Sequence, residues 1–114
     1  MNIREIEQYI ITLPGVIKSY SEDRKLAIYE YEDEMFAIIE VGKSPVRISL
    51  RCDKRLSDLL KAEYDEVMAG HKLNKNKWIT IVLSGQLSDQ EIKDLIFLSY
   101  QLAGNGQLLR KPEN

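Results

Sequence analysis

Three consecutive apolar runs joined by very short connections constrain the fold of this chain more than any other feature. Leu26 to Tyr31 alternates between two faces, Met35 to Val41 follows after a charged turn, and Val46 to Arg51 follows after the turn from Gly42 to Pro45. Parallel neighbours need a crossover of about a dozen residues or more, and these connections are shorter. The pattern therefore predicts antiparallel strands.

Strict alternation assigns the side chains of these strands to two faces of a sheet. The core face of the third run would carry Val46, Ile48 and Leu50, and the opposite face Arg47, Ser49 and Arg51. In the second run the same rule places Met35 with Ala37, Ile39 and Val41, and Phe36 with Ile38. A row of two arginines on an open sheet face is a candidate phosphate contact, and it is equally typical of a solvated face.

Spacings of three and four residues predict three helices. Each has a capping residue: Asn2 for a helix ending before Pro14, Asp53 for a helix to about Tyr64, and Ser88 with Glu91 for a helix to Gly104. The expected buried stripes are Ile3, Ile6, Ile10 and Leu13; Leu56, Leu59, Leu60 and Tyr64; and Ile92, Leu95, Ile96, Ser99, Leu102 and Ala103.

Two further segments complete the expected sheet. The stretch from Val16 to Arg24 indicates a weak edge strand, and Trp78 to Leu83 a strand that is apolar on both faces. The order helix, four strands, helix, strand, helix predicts an α+β two-layer sandwich with a mostly antiparallel five-stranded sheet. Helices would cover one sheet face and leave the other accessible. We expect one domain over residues 1–104 and a frayed tail over 105–114.

The charge of the chain is unevenly distributed. The chain of 114 residues has a net charge of −2, yet residues 43–77 hold nine bases and five acids, a net of +4. Such a local basic region can bind a polyanion with modest, salt-sensitive affinity. A single cysteine and the lack of a long apolar run favour a reducing cytoplasm and no membrane association.

No catalytic or metal-binding constellation is visible in the sequence. His71 is the only histidine, and the acids lack the spacing of a metal loop. Cys52, at a strand end, is more typical of a small buried hydrophobe than of a nucleophile. We therefore expect no enzyme activity, no cofactor, no metal and no small-molecule substrate.

The loop before the last strand carries the densest positive charge. Lys72, Lys75 and Lys77 accompany Asn74, and Trp78 follows directly. Ammonium groups neutralise phosphates and amides hydrogen-bond to the backbone, so this composition is typical of loops that contact nucleic acid, although a merely solvated loop has it too. The Trp78 indole could pack in the core, anchor a partner or stack on a base.

Four motifs in order along the chain carry a family resemblance. They are Leu13-Pro14-Gly15, Met35-Phe36-Ala37-Ile38, Ile48-Ser49-Leu50-Arg51-Cys52-Asp53, and Leu73-Asn74-Lys75 followed by Trp78, with Ser99-Tyr100 as a fifth likeness. With them the chain resembles the MmcQ/YjbR family, small bacterial proteins described as double-wing DNA-binding domains with a CyaY-like (frataxin-like) fold. Where that family tends to have histidines around the loop, this chain has Lys72 and Lys77, which preserves positive charge.

The resemblance implies a DNA-binding protein that is not an enzyme. Lys72, Lys75 and Lys77 would contact phosphates, Asn74 would fix the loop or a backbone oxygen, and Arg47, Arg51 and Trp78 would extend the surface. The alternative is an adaptor that meets an acidic protein through the basic loop and a surface of Tyr29 and Tyr31. Iron handling, as in frataxin, would need a dense acidic ridge, and the first helix offers only Glu5 and Glu7.

Overall fold

A computed structural model describes residues 1–70 and 73–104 of the chain. The elements follow in the order α1 (Ile3–Ile11), β1 (Ile17–Ser21), β2 (Leu26–Tyr31), β3 (Glu34–Glu40), β4 (Arg47–Arg51), α2 (Lys54–Glu63), β5 (Val67–Ala69), β6 (Trp78–Val82) and α3 (Asp89–Ala103). The expected α+β class with three helices is confirmed. The expected tail, residues 105–114, lies outside the described residues.

In the described residues the sheet has six strands, one more than the five expected from the sequence. The additional strand is β5, which spans only three residues and pairs antiparallel with β6 alone. A segment of three residues is too short to show an alternating pattern, and we had assigned it to a loop. All neighbours are antiparallel in the order β1-β2-β3-β4-β6-β5.

The caps predicted from the sequence are present at all three helices. Asn2 with Glu5 and Ser88 with Glu91 form complete capping boxes. The Asp53 carboxylate accepts a hydrogen bond from the Leu56 backbone N–H at 2.9 Å. These short-range signals define the helix starts because each pairs groups only three residues apart.

The main core lies between the helices and one face of the sheet. Its fully buried side chains include Ile6, Ile10, Ile39, Ile48, Leu50, Ile79, Ile81 and Ile96. The predicted inward direction of Ile48 and Leu50 is therefore confirmed. The prediction of buried helix stripes is wrong for two leucines. Leu59 and Leu102 are 62% and 42% exposed, because they lie at the margins of their helices' buried faces.

A β-bulge in β3 changes the side on which two side chains lie. Tyr29 pairs with Ala37 but Glu30 pairs with Met35, which leaves Phe36 as an extra residue. Phe36 consequently turns into the core, where its ring centroid lies 5.5 Å from that of Tyr100. The strict alternation that placed Met35 with Ala37 and Phe36 with Ile38 is wrong at this point. Met35 instead lines the opposite face of the sheet.

We call the sheet face opposite the helices the open face. Cross-strand pairing places Arg47 between Glu40 and Val82, and Ser49 between Ile38 and Thr80. The Ser49 and Thr80 hydroxyls are hydrogen-bonded to each other at 2.8 Å. The open face therefore has a polar centre line flanked by apolar strands.

Candidate functional site

A broad groove lies on the open face. Its volume is about 750 Å³, and its floor is formed by aliphatic side chains of β2 and β3 together with one residue of the loop before β6. These side chains are Leu26, Ile28, Met35, Ile38 and Leu73. Because Leu73 precedes Asn74 and Lys75, the groove brings the basic loop next to the open face.

Three cations and one acid line the same groove. Arg24 belongs to the β1–β2 turn, Lys43 to the β3–β4 turn and Arg47 to β4, and Glu40 is the acid. We call Arg24, Lys43 and Arg47 the cationic rim. Among the described residues, no ion pair includes a member of this rim. Within residues 1–70 and 73–104, the three cations thus form no direct ion pair, and Glu40 is the acid that lines the groove with them.

Arg47 is the rim residue most enclosed by the protein. Its side chain is half-buried, and it has Glu40 as its cross-strand neighbour on β3. Its Nε atom is buried and has no hydrogen-bond acceptor within the described chain. Buried donors are normally paired, so the unpaired Nε atom makes Arg47 an exception among the described residues.

Arg51 is held by the protein itself. Its Nε donates a hydrogen bond to the Met35 carbonyl oxygen, and its guanidinium carbon lies 5.0 Å from the centre of the Trp78 ring. A cation above an indole face is electrostatically favourable. Arg51 therefore supports the open face structurally, with less freedom to reach a ligand than Arg47.

The hydroxyl of Ser99 bridges β3 and β4 just beyond their last paired residues, Ala37 and Leu50. It accepts a hydrogen bond from the Arg51 backbone N–H at 2.8 Å and donates to the Phe36 carbonyl oxygen. Ser99 is fully buried on α3. One helix side chain thus replaces the direct backbone bond between the two strands and fixes the position of Arg51.

Asn74 organises the basic loop through backbone and side chain. Its carbonyl oxygen accepts hydrogen bonds from the N–H groups of Lys77 and Trp78, each at 3.0 Å. Its Oδ1 accepts from the Asn76 N–H at 2.9 Å. The loop is tied to the end of β4 because the Cys52 N–H donates to the Lys77 carbonyl at 2.8 Å. Of the two roles expected for Asn74, this geometry provides loop fixation.

The remaining residues expected at the site differ in exposure. Lys75 and Lys77 are exposed, whereas Trp78 is only 5% exposed and packs beside Gly70. A covered indole supports Arg51 and offers no free face for stacking on a base. Lys72 lies outside the described residues. The structure thus joins Arg51 with Trp78 at the end of β4 where the loop of Asn74, Lys75 and Lys77 is attached. It places Arg47 at the other end of β4, in the groove that Leu73 also lines.

Arg24 and Lys43 were missed by the sequence analysis. Each lies in a turn, where a single cation has no periodic pattern to distinguish it from a solvated side chain. The useful signal is the hairpin register, which pairs Leu26 with Glu40 and so brings the two turns to the same end of the sheet. The Val41 N–H donates to the Lys25 carbonyl at 3.0 Å at that end.

The tyrosine surface expected for an acidic protein partner is not formed. Tyr29 is fully buried and donates its hydroxyl hydrogen bond to Glu7, while Tyr31 stacks on Tyr100 with ring centroids 4.3 Å apart. Both rings belong to the packing between the sheet and the helices. Alternation alone could not distinguish an aromatic face that is exposed from one that a helix covers.

The cysteine of the chain, Cys52, does not belong to the residues that line the groove. Cys52 is 4% exposed, and burial raises the pKa of its thiol to about 11, so the thiol is protonated at neutral pH.

In the described parts of the chain, His, Cys, Asp and Glu side chains form no group of three or more that could hold a metal ion. Within residues 1–70 and 73–104, no helix has the length and apolar character needed to cross a bilayer.

Comparison with known families and proteins identifies relatives over nearly the whole chain. The YjbR family model matches residues 11–102. The uncharacterized protein YjbR of Escherichia coli K12 is 34% identical over 105 residues, which cover 92% of this chain and 89% of that protein. The YjbR protein of Escherichia coli O157:H7 matches to the same extent.

Solved structures share the fold at lower sequence identity. A Deinococcus radiodurans protein with the DUF419 domain superposes with a TM-score of 0.83 at 22% identity, covering 97% of this chain and 84% of its own. A Pseudomonas syringae protein superposes with a TM-score of 0.76 at 22% identity, covering 90% of this chain and 99% of its own. At these identities the likeness supports the fold alone.

Proposed function

The chain belongs to the YjbR family, and we propose that it binds duplex DNA in the bacterial cytoplasm, through the phosphate backbone. The contacts would come from the cationic rim and from Lys75 and Lys77 of the adjacent loop. The resemblance of its motifs to a family described as DNA-binding supports this proposal. The relatives named above carry no assigned activity, so the argument depends on the charges of the groove.

The observation that carries the proposal is the convergence of cations from separate segments. Arg24, Lys43 and Arg47 come from two turns and a strand, and they line one groove in which Glu40 is the one acid among the described lining residues. The whole chain has a net charge of −2, so a groove with three cations and one acid is a local reversal of sign. A concave surface of one sign attracts a polyanion more strongly than scattered charges do.

Backbone contact explains the residue types better than base reading does. Lysine and arginine neutralise phosphates and release condensed counterions, which makes affinity fall with salt by about 0.9 log units per log unit for each phosphate contacted. Arg51 is occupied by Met35 and Trp78, so its role is to hold the surface. We therefore expect modest affinity and little sequence preference.

The test is fluorescence anisotropy with a labelled duplex over a salt series. Arg47→Gln should weaken binding and reduce the salt slope by about one, and Lys75→Gln with Lys77→Gln should do so further. The matched control is Arg4→Gln, which removes one exposed charge from α1 in the helix layer. Binding that is absent at low salt, or that Arg4→Gln weakens as much as Arg47→Gln, would reject the proposal.

A further inference from the structure

The floor of the open-face groove is not explained by phosphate contacts. Leu26, Ile28, Met35, Ile38 and Leu73 place aliphatic groups in one concave surface on the solvent side of the sheet. A phosphate backbone gains nothing from such groups, because its oxygens need donors and water. Apolar floors with a few convergent polar groups are instead typical of small-molecule sites, which usually have volumes of about 300–1,000 Å³.

The polar groups of the groove specify the charge of the occupant. Arg47 brings a buried Nε donor without an acceptor in the described chain, and Arg24 and Lys43 add two more cations. Glu40 is the one opposing charge among the lining residues. An anionic group beside Arg47 would meet its partly exposed, positively charged side chain, and a charge-assisted hydrogen bond to a guanidinium is stronger than a neutral one.

We infer that the groove binds a small molecule in which one anionic group is attached to an aliphatic body. The anion lies against Arg47, and the body lies over Ile28, Ile38 and Leu73. The groove volume of about 750 Å³ is sufficient for a ligand of this kind. The two proposals share Arg47, and this inference is independent of DNA binding because the floor residues would contact the small molecule alone.

Sodium decanoate, kept below the concentration at which it forms micelles, is a direct probe. Titration followed by methyl NMR should give saturable shifts at Ile28, Ile38 and Leu73. Acetate has the charge without the body, and decyltrimethylammonium has the body with the opposite charge, so both should bind at least about tenfold more weakly, a difference of about 1.4 kcal/mol. Equal binding of decanoate and decyltrimethylammonium, or decanoate shifts confined to the helices, would overturn the inference.

Two variants connect the binding to the groove. Arg47→Gln should weaken decanoate about tenfold while leaving the floor intact. Ile28→Thr, which keeps β-branching in β2, should weaken decanoate and leave DNA affinity unchanged. Its control is Ile17→Thr on the exposed edge of the sheet, where Ile17 is 64% exposed. If Ile28→Thr and Ile17→Thr, both folded by NMR, bind decanoate equally to the wild type, the groove is not the site.

Discussion

At the scale of single residues, the open face depends on side chains that satisfy backbone groups which the sheet leaves unpaired. Ser99 bridges the Phe36 carbonyl and the Arg51 N–H, and Arg51 in turn binds the Met35 carbonyl. Ser99 and Arg51 both belong to the motifs in which the chain resembles its family. In this structure those motif positions hold the strands around the bulge.

Removing the Ser99 hydroxyl should destabilise the fold. Ser99→Ala leaves a buried carbonyl and a buried N–H without partners, so we expect a loss of about 1–3 kcal/mol in the free energy of unfolding. Urea denaturation followed by far-UV circular dichroism measures it. Ser19→Ala, on the exposed strand β1, is the control and should change stability by less than about 0.5 kcal/mol. Equal stability of the two variants would show that the bridge contributes nothing.

Arg51 and Lys75 should separate structural from binding roles. Arg51→Gln removes the cation above Trp78 and weakens the bond to the Met35 carbonyl, so we expect a lower urea midpoint. Lys75→Gln alters an exposed side chain and should leave the midpoint unchanged while it lowers DNA affinity. If both variants retain the wild-type midpoint, Arg51 is not the support that its contacts indicate.

At the scale of elements, the loop between β5 and β6 is packed tightly against the strand that it precedes. A Cβ atom added at Gly70 would lie 2.7 Å from the Trp78 Cβ atom and 3.2 Å from that of Leu73. Carbon atoms do not approach so closely, so a residue with a Cβ atom fits at position 70 only if its neighbours move. The basic loop therefore takes its position from Gly70, Asn74 and Trp78 together.

Gly70→Ala should strain this junction. Because the clash involves a Cβ atom next to the backbone, we expect a loss of about 1–3 kcal/mol in stability, as in overpacked interiors. Gly42→Ala is the matched control, since its nearest neighbour is the flexible Lys25 side chain at 3.0 Å. Thermal unfolding of the two variants side by side gives the comparison. A larger loss at Gly42 than at Gly70 would contradict the packing described here.

The contact of α1 with β1 and β2 should make stability depend on pH. The Lys18 ammonium and then the Tyr29 hydroxyl, both hydrogen-bonded to the Glu7 carboxylate, lower its pKa below the ordinary 4.5. Because the pKa of Glu7 is lower in the folded chain than in the unfolded chain, the ionised carboxylate stabilises the fold above about pH 4.5. That stabilisation is lost as pH falls through the pKa of Glu7 in the folded chain. Wild type should therefore lose more stability than Glu7→Gln between about pH 5 and pH 3 in urea titrations. An equal loss of stability in the wild type and in Glu7→Gln would show that Glu7 does not cause the pH dependence.

The sequence predicted much of this element structure, and the exceptions have physical reasons. The alternation in Val46–Arg51 correctly placed Ile48 and Leu50 in the core and Arg47 on the open face. Phe36 was misplaced because a bulge shifts the alternation by one residue and leaves no mark in the hydrophobic pattern. The groove was missed because two of its three cations, Arg24 and Lys43, come from turns that only the completed sheet brings together.

At the scale of the whole molecule, the two faces of the sheet have different surroundings. The helices cover one face of the sheet with the main core, and the opposite face keeps a groove with an aliphatic floor and a cationic rim. The shared motifs lie at contacts such as the Tyr100 hydroxyl on the Pro14 carbonyl and Ser99 on Phe36. Family likeness at Ser99 and Tyr100 therefore reflects the fold, whereas other motif residues, Met35, Ile38, Ser49 and Leu73, line the groove of the open face.

Mapping DNA contacts by two-dimensional amide NMR at low salt tests this separation most directly. On addition of an unlabelled duplex, the account predicts progressive shifts at Arg24, Lys43, Arg47 and Lys75, with the amides of α1 and α3 unchanged. Shifts centred on α1 and α3, or no shifts at a salt concentration where electrostatic binding is strongest, would contradict the claim that the open face binds the phosphate backbone.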